Sequence, residues 1–464
     1  MQNGGGPVRR KPGWVGWLSL VGWAALIVGA FGIGALLRRA GAMPVDEFPP
    51  LHAQARLLLR PLLPAVAFGL VGVAVLPVTA RRLAWRPLPA VAWLGSVGWA
   101  VVLQLPDGIS RPLTTPTEYL AELPAMGDDP LDWLRGFTTE MQALPTHVKG
   151  HPPLPMLVLW TIQWMGLAGP AWAAALVIAV GGSAAAAIAV TVRVIAGEDV
   201  ARRAVPFLVL SPVALWVATS MDALFLGVAA WAVALVAVAA AGSGSLLSGM
   251  ADRSARIGSS TRVTVAFAGG LLLGSLPYLS YGLLPIFALP LVVLVLTRPA
   301  WPVPMALAAG SIIVPIAFTI AGFSWWEGVV GTHTAWLISH GSRRPYGYFL
   351  VANFAVLALL VGPAVATALP TALGRAASLV FTASPGGRGG SGSDRLGWLA
   401  AATLAGVLAL DLSGVTTGEV ERIWIPYAAW VVTVTAVHRP PARTMLLAQT
   451  VIALVIEALT RSPW

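Results

Sequence analysis

The chain has 464 residues, 57% of them hydrophobic, with 20 Trp, 49 Gly and no Cys, and its mean hydropathy is +0.79. That composition excludes a large soluble domain and predicts an all-α, polytopic membrane protein. The net charge of +10 comes from short basic clusters between apolar runs, which is a topology signal and not a nucleic-acid footprint; the lack of Cys excludes disulfides, thiolate metal sites and a Cys nucleophile.

Arg9-Arg10-Lys11 precedes the apolar run Trp14 to Leu37. The run is too long for a signal peptide and has no small-residue cleavage site, so it reads as an anchor helix with a cytoplasmic N-terminus. Further spans are predicted at 62–80, 88–105, 171–195, 205–219, 222–241, 263–279, 281–297, 303–321, 347–370, 396–412, 423–438 and 444–460, about thirteen in all. The apolar segment 152–168 is left out on charge grounds. Without it, 18 of the 29 Lys and Arg fall on the cytoplasmic side; with it, 12 of the 16 basic residues that follow would face outward, against the positive-inside rule. Pro152, Pro153 and Pro155 also suit a helix start at the interface. The segment is therefore expected to be interfacial or re-entrant on the outer face. Two Gly/Ser-rich stretches, 242–260 and 385–393, read as cytoplasmic linkers.

On this topology the outer segments hold most of the polar chemistry. The loop from Asp107 to Pro155 contains seven of the 19 acidic residues and ends on Lys149-Gly-His151-Pro-Pro-Leu-Pro155. Asp107 follows an apolar run directly, where partial desolvation raises basicity and suits a general base. Glu118, followed by Tyr119, competes with it. Asp128, Asp129 and Asp132 are expected to cap a short amphipathic helix near 131–141. Asp222 opens a span after Ser211-Pro212, either as a helix cap or as a group lining the cavity beneath the long loop. Ser342-Arg343-Arg344-Pro-Tyr346, beside His340, places a basic pair outside, which suits a lipid phosphate bound bidentately. Glu421-Arg422 puts another arginine at a helix mouth. His147 and His151 are four apart, but Gly150 and Pro152 interrupt a shared helix and give a poor metal site. Phosphate-loop, dinucleotide and His-Glu-x-x-His motifs are absent from the sequence.

The order Leu105-Pro-Asp107-Gly108, Glu118-Tyr119-Leu120, Asp132-Trp133, His151-Pro-Pro-Leu154, Pro212 to Asp222 and Glu421-Arg-Ile-Trp-Ile-Pro426 resembles the GT-C superfamily of membrane glycosyltransferases. It is most similar to the branch of protein O-mannosyltransferases and lipid A aminoarabinose transferases. The resemblance covers roughly residues 88–430. Two extra helices precede the family's first span, and the acidic pair expected near that span is replaced by Asp107-Gly108 with Glu118 farther on, so both carboxylates stand as candidate bases. The resemblance implies a GT-C-like fold with membrane-parallel helices in a long external loop. It also implies a polyprenyl-phosphate-sugar donor, a glycan, glycolipid or protein acceptor outside the cytoplasm, inversion at the sugar, and no metal or other cofactor. Arg343, Arg344 and Arg422 would stabilise the leaving phosphate, with Tyr119, His151, Asp222, His340, Tyr346 and Glu421 lining the substrate site.

The expected organisation is a tail with two extra helices (1–87), a core (88–372) with its catalytic loop at 106–170, a linker (373–395) and C-terminal helices (396–464), all in the plasma membrane. The competing expectation is a transporter or lipid flippase, which would carry ionisable groups near mid-membrane.

Overall fold

The structure, a computed structural model, describes residues 14–43, 45–241, 258–339, 341–381, 392–438 and 442–463. Arg9, Arg10, Lys11, His340 and most of both glycine-rich stretches lie outside these residues. The described chain is almost entirely helical: α1 (Trp14–Arg39), α2 (Leu63–Arg82), α3 (Leu88–Gln104), α4 (Pro130–Glu140), α5 (Leu154–Trp164), α6 (Pro170–Ala196), α7 (Glu198–Val209), α8 (Asp222–Ala240), α9 (Ser259–Leu279), α10 (Ala288–Thr297), α11 (Pro302–Ile320), α12 (Trp325–Ile338), α13 (Tyr346–Phe381), α14 (Gly392–Leu412), α15 (Ile425–Val431) and α16 (Arg443–Leu459). Two-residue strands, Gln54–Ala55 and Thr460–Arg461, pair antiparallel.

Among the described residues, eight helices are long and apolar enough to cross a membrane: α1, α2, α6, α8, α9, α11, α13 and α14. The chain is therefore a multi-pass membrane protein. The other five predicted spans correspond to shorter pieces. The one predicted at 205–219 is broken: α7 stops at Val209, and a short 3-10 helix resumes at Pro212–Trp216. Pro206 and Pro212 withhold backbone donors, and the freed Ser211 carbonyl accepts from Trp99 Nε1 at 3.3 Å. Such a break persists because this stretch is buried in protein and not exposed to lipid. Segment 152–168 forms α5, whose 11 residues reach about 16 Å, well short of roughly 30 Å of hydrocarbon.

Polar side chains sort the helix ends into two groups. At one end Arg56 pairs with Asp107 and Glu457, Arg344 with Asp46, and Arg422 with Asp222. At the other, Arg202 donates to the carbonyls of Ala80 and Leu83, and Arg395 to that of Ile195. Helix α8 is mostly buried, whereas α1 is mostly exposed and leans on α13 through Trp23 Nε1 to the Ala358 carbonyl at 2.7 Å.

Glycines set the closest helix crossings. A Cβ on Gly270 or Gly274 of α9 would run into the backbone oxygens of Leu307 and Ser311 on α11, and one on Gly310 into that of Phe267. Between membrane helices, where lipid competes on equal terms for apolar contact, such backbone approach is a main source of packing energy. Gly270→Val should therefore lower the melting temperature in detergent, at a cost of about 1–3 kcal/mol or more. Gly29→Val on α1, where a Cβ meets nothing within 4 Å, should leave it unchanged; equal melts by size-exclusion after heating would refute close α9–α11 packing.

Candidate functional site

The loop between α3 and α6 folds back over one end of the bundle instead of projecting from it. Asp129 caps α4 by accepting from the backbone N–H of Leu131 and Asp132, and the His147 N–H donates to the Thr117 carbonyl at 2.9 Å. That second bond pins the Glu118-Tyr119 turn beneath the loop. As a result Glu118 is 2% exposed. One carboxylate oxygen lies 3.5 Å from His147 Nδ1, and the other has no hydrogen-bond partner. The Tyr119 hydroxyl is likewise buried without a partner. The His151 ring stands 5.9 Å from that of Tyr119 and 5.5 Å from that of Phe225, and its Nδ1–H donates to the His147 carbonyl at 2.9 Å.

Burial pushes the Glu118 carboxyl up to about 7; the nearby Asp222 charge acts the same way and Arg422 opposes it. Burial also keeps both histidines neutral, His147 well below the usual imidazole range and His151 below it. A buried acid poised near neutrality, with an unmade hydrogen bond and a hydroxyl beside it, has the attributes of a general base awaiting a proton donor.

Behind this acid runs a chain of buried ion pairs. Arg422 donates to Asp222 at 2.9 Å and to Glu419 at 3.0 Å. Glu419 accepts from Arg344 at 3.1 Å, and Arg344 grips Asp46 bidentately through two bonds of 2.8 Å. His52 Nδ1 lies 2.8 Å from Asp46, and the His52 N–H donates to Glu421 at 3.0 Å. Glu419 spans both arginines from a left-handed backbone, φ 59°, unusual for a residue with a side chain. Gly418 before it, at φ 83°, leaves the space that the Arg344 guanidinium fills. Burial works against the Glu419 charge, but Arg422 and Arg344 hold its carboxyl far below the usual range. Burial pushes Glu421 up to about 7.

The structure thus brings Glu118, Tyr119, His151, Asp222, Arg344, Glu421 and Arg422 to one end of the bundle, and it puts Asp107 in a separate network. Asp107 accepts from Arg56 Nη1 at 2.7 Å, with Arg461 Nε at 3.7 Å, and the same Arg56 bonds Glu457. Arg343 is exposed, and Tyr346, 44% exposed, donates to the Leu412 carbonyl at 3.2 Å; neither joins the ion-pair chain. His340 lies outside the described residues. Asp46, His52 and Glu419 are site residues that the sequence reading missed. Their signal was present: an acid and a histidine between two predicted spans on the outer side, and a third carboxylate beside Glu421-Arg422. Among the described residues, no group of three or more His, Asp or Glu is arranged to hold a metal ion. Comparison with protein-family models, with curated proteins and with solved structures gives no match to the chain.

Two outcomes follow from this geometry. The folded chain holds a proton on Glu118 that the unfolded chain releases above its ordinary value of 4.5, so stability from this group is full below pH 4.5 and lost as pH rises through about 7. Thermal melts of Glu118→Gln should therefore gain on the native protein between pH 5 and 8, and a constant difference would contradict a buried, neutral Glu118. Arg56→Met leaves Asp107 and Glu457 facing one another and should cost about 3–5 kcal/mol, seen as a large drop in melting temperature that Arg343→Met does not reproduce.

Proposed function

We propose that the chain is an integral membrane glycosyltransferase of the GT-C type. It moves a sugar from a polyprenyl-phosphate donor to an acceptor outside the cytoplasm, with inversion, and Glu118, not Asp107, is the base. The observation that carries the choice of base is the contrast between the two acids. Asp107 has an oxygen committed to Arg56 at 2.7 Å, whereas Glu118 has an unpartnered oxygen, lies next to Tyr119 with its unpartnered hydroxyl, and is poised at about 7.

In this reading the acceptor hydroxyl gives its proton to Glu118 as its oxygen attacks the anomeric carbon from the face opposite the phosphate. The carbon–oxygen bond to phosphate breaks, and its electron pair leaves with the polyprenyl phosphate. Arg422, already in Glu118's surroundings and fixed by Asp222 and Glu419, opposes the charge that develops on that phosphate. Arg344, clamped by Asp46, holds Glu419 and so orients Arg422. The rings of Tyr119 and His151 offer a face for the sugar. Membrane sidedness in this reading follows the positive-inside rule: Arg81, Arg82, Arg193, Arg202, Arg203 and Arg395 lie at the end opposite Glu118, which the rule assigns to the cytoplasm. Against transport, the described ionisable residues of the eight spans keep to within about a turn of the helix ends, whereas a coupled transporter needs such groups near mid-membrane.

The test is transfer of labelled sugar from a panel of polyprenyl-phosphate sugars by the purified chain in proteoliposomes. Glu118→Gln should lower turnover by about 10²- to 10⁴-fold while the protein stays folded, and Asp107→Asn should cost less than a tenth of that. The native rate should rise with pH through about 7 and level off above it, as Glu118 ionises. The opposite ranking returns the role to Asp107, and substrate accumulation in sealed vesicles without covalent product removes the enzyme reading.

A further inference from the structure

At the end of the bundle opposite Glu118, α2, α7, α16 and the turn before α16 line a half-open cavity of about 30 Å³. Pro77 of α2 and Pro206 of α7 both line it. A proline inside a helix removes one backbone hydrogen bond and pushes the preceding turn away, so two prolines on adjacent helices leave a gap that no side chain fills. Phe207 and Leu446 make an apolar floor, and Arg81, Arg202 and Arg203 form the rim.

These arginines are not equivalent. Arg202 is committed: Nε and Nη2 bond Glu198, and Nη1 bonds the carbonyls of Ala80 and Leu83. Arg203 makes no such bond, and its buried Nε has no partner in the structure. The one acid acting on it, Asp199, is opposed by the like charge of Arg375. Arg81 is exposed at the last turn of α2. His438, on the far wall, is turned to the Ala364 carbonyl and Thr367 and supplies no negative charge. The rim therefore carries a net positive charge, with neither Arg81 nor Arg203 in a direct ion pair among the described residues, above an apolar floor and next to a pre-formed hole.

We propose that Arg81 and Arg203 hold the phosphate group of a phosphate-bearing anion, the headgroup of an anionic lipid or a soluble phosphate. The hole has room for a phosphate oxygen, since about 10–15 Å³ of such space already holds one water, and the remaining oxygens lie across the rim between the two guanidinium groups. This site is independent of the glycosyl-transfer reading and of Glu118.

The experiment is a thermal-shift titration of the full chain in neutral detergent with phosphatidylglycerol, with phosphatidylcholine and with inorganic phosphate. Phosphatidylglycerol should stabilise saturably and phosphatidylcholine should not. At about 1 kcal/mol for each basic residue near an anionic surface, R81Q should weaken the apparent affinity by about fivefold and the R81Q/R203Q double variant by about thirtyfold. R298Q, which removes the same charge from an exposed position on another helix end, should change it by less than about twofold. Stabilisation by inorganic phosphate with the same dependence on Arg81 and Arg203 would assign the site to soluble phosphate. Because Arg81 is exposed, R81Q tests the proposal even where the double variant fails to fold. The proposal is overturned when no phosphate-bearing probe stabilises the native chain, or when R298Q weakens binding as much as R81Q.

Discussion

A charge buried where protein meets hydrocarbon has to be answered on the spot, and this requirement organises the polar end of the bundle. Arg422 and Arg344 are each less than a tenth exposed, and a lone guanidinium so placed would cost several kcal/mol. The carboxylates that answer them come from three separate stretches of chain: Asp46 before α2, Asp222 at the head of α8, and Glu419 ahead of α15. Each pair fixes the height and rotation of two helices, so the ion-pair chain works as a register device for the whole end. Its direct contribution to stability is small beside that role, because Coulombic gain and desolvation largely offset one another.

The glycine crossings act at the other scale. Where α9 meets α11, and where Gly227 of α8 meets the Val180 carbonyl of α6, backbone lies on backbone and helices cannot slide without losing the approach. Rigid crossings below and the ion-pair chain above leave the Glu118 turn on a firm base. The unmade bonds of Glu118, Tyr119 and Glu421 lie on that base, and what sets Glu118 apart is its place on the loop that folds over the end of the bundle.

Much of the membrane architecture was legible in the sequence, because hydropathy over about 20 residues is a local property. Charge counting likewise removed α5 from the list of spans. Local reading failed where distant partners decide. Asp107 and Glu118 look alike in sequence, each an acid near an apolar run; what separates them is Arg56, which lies 51 residues before Asp107, and the burial of the Glu118 turn by its own loop. The apolar run 205–219 looks continuous, yet Pro206 and Pro212 break it, and only burial on every side makes the break tolerable. Asp46 and His52 were passed over because their loop carries no recognisable motif, and their importance lies in Arg344, far along the chain.

The two-residue strands tie Gln54–Ala55 to Thr460–Arg461, and Arg56 reaches Glu457 beside them. In a protein inserted into the membrane helix by helix, this fastening fixes an order of events. The segment that carries Arg56 and Asp46 must wait, with its charges hydrated, until about four hundred further residues have been synthesised and α16 has been inserted. The polar end therefore closes last. Throughout synthesis the chain is a membrane-inserted bundle whose chemistry is still open to water, and any chaperone or quality-control step that senses exposed charge at this face has the whole of that interval in which to act.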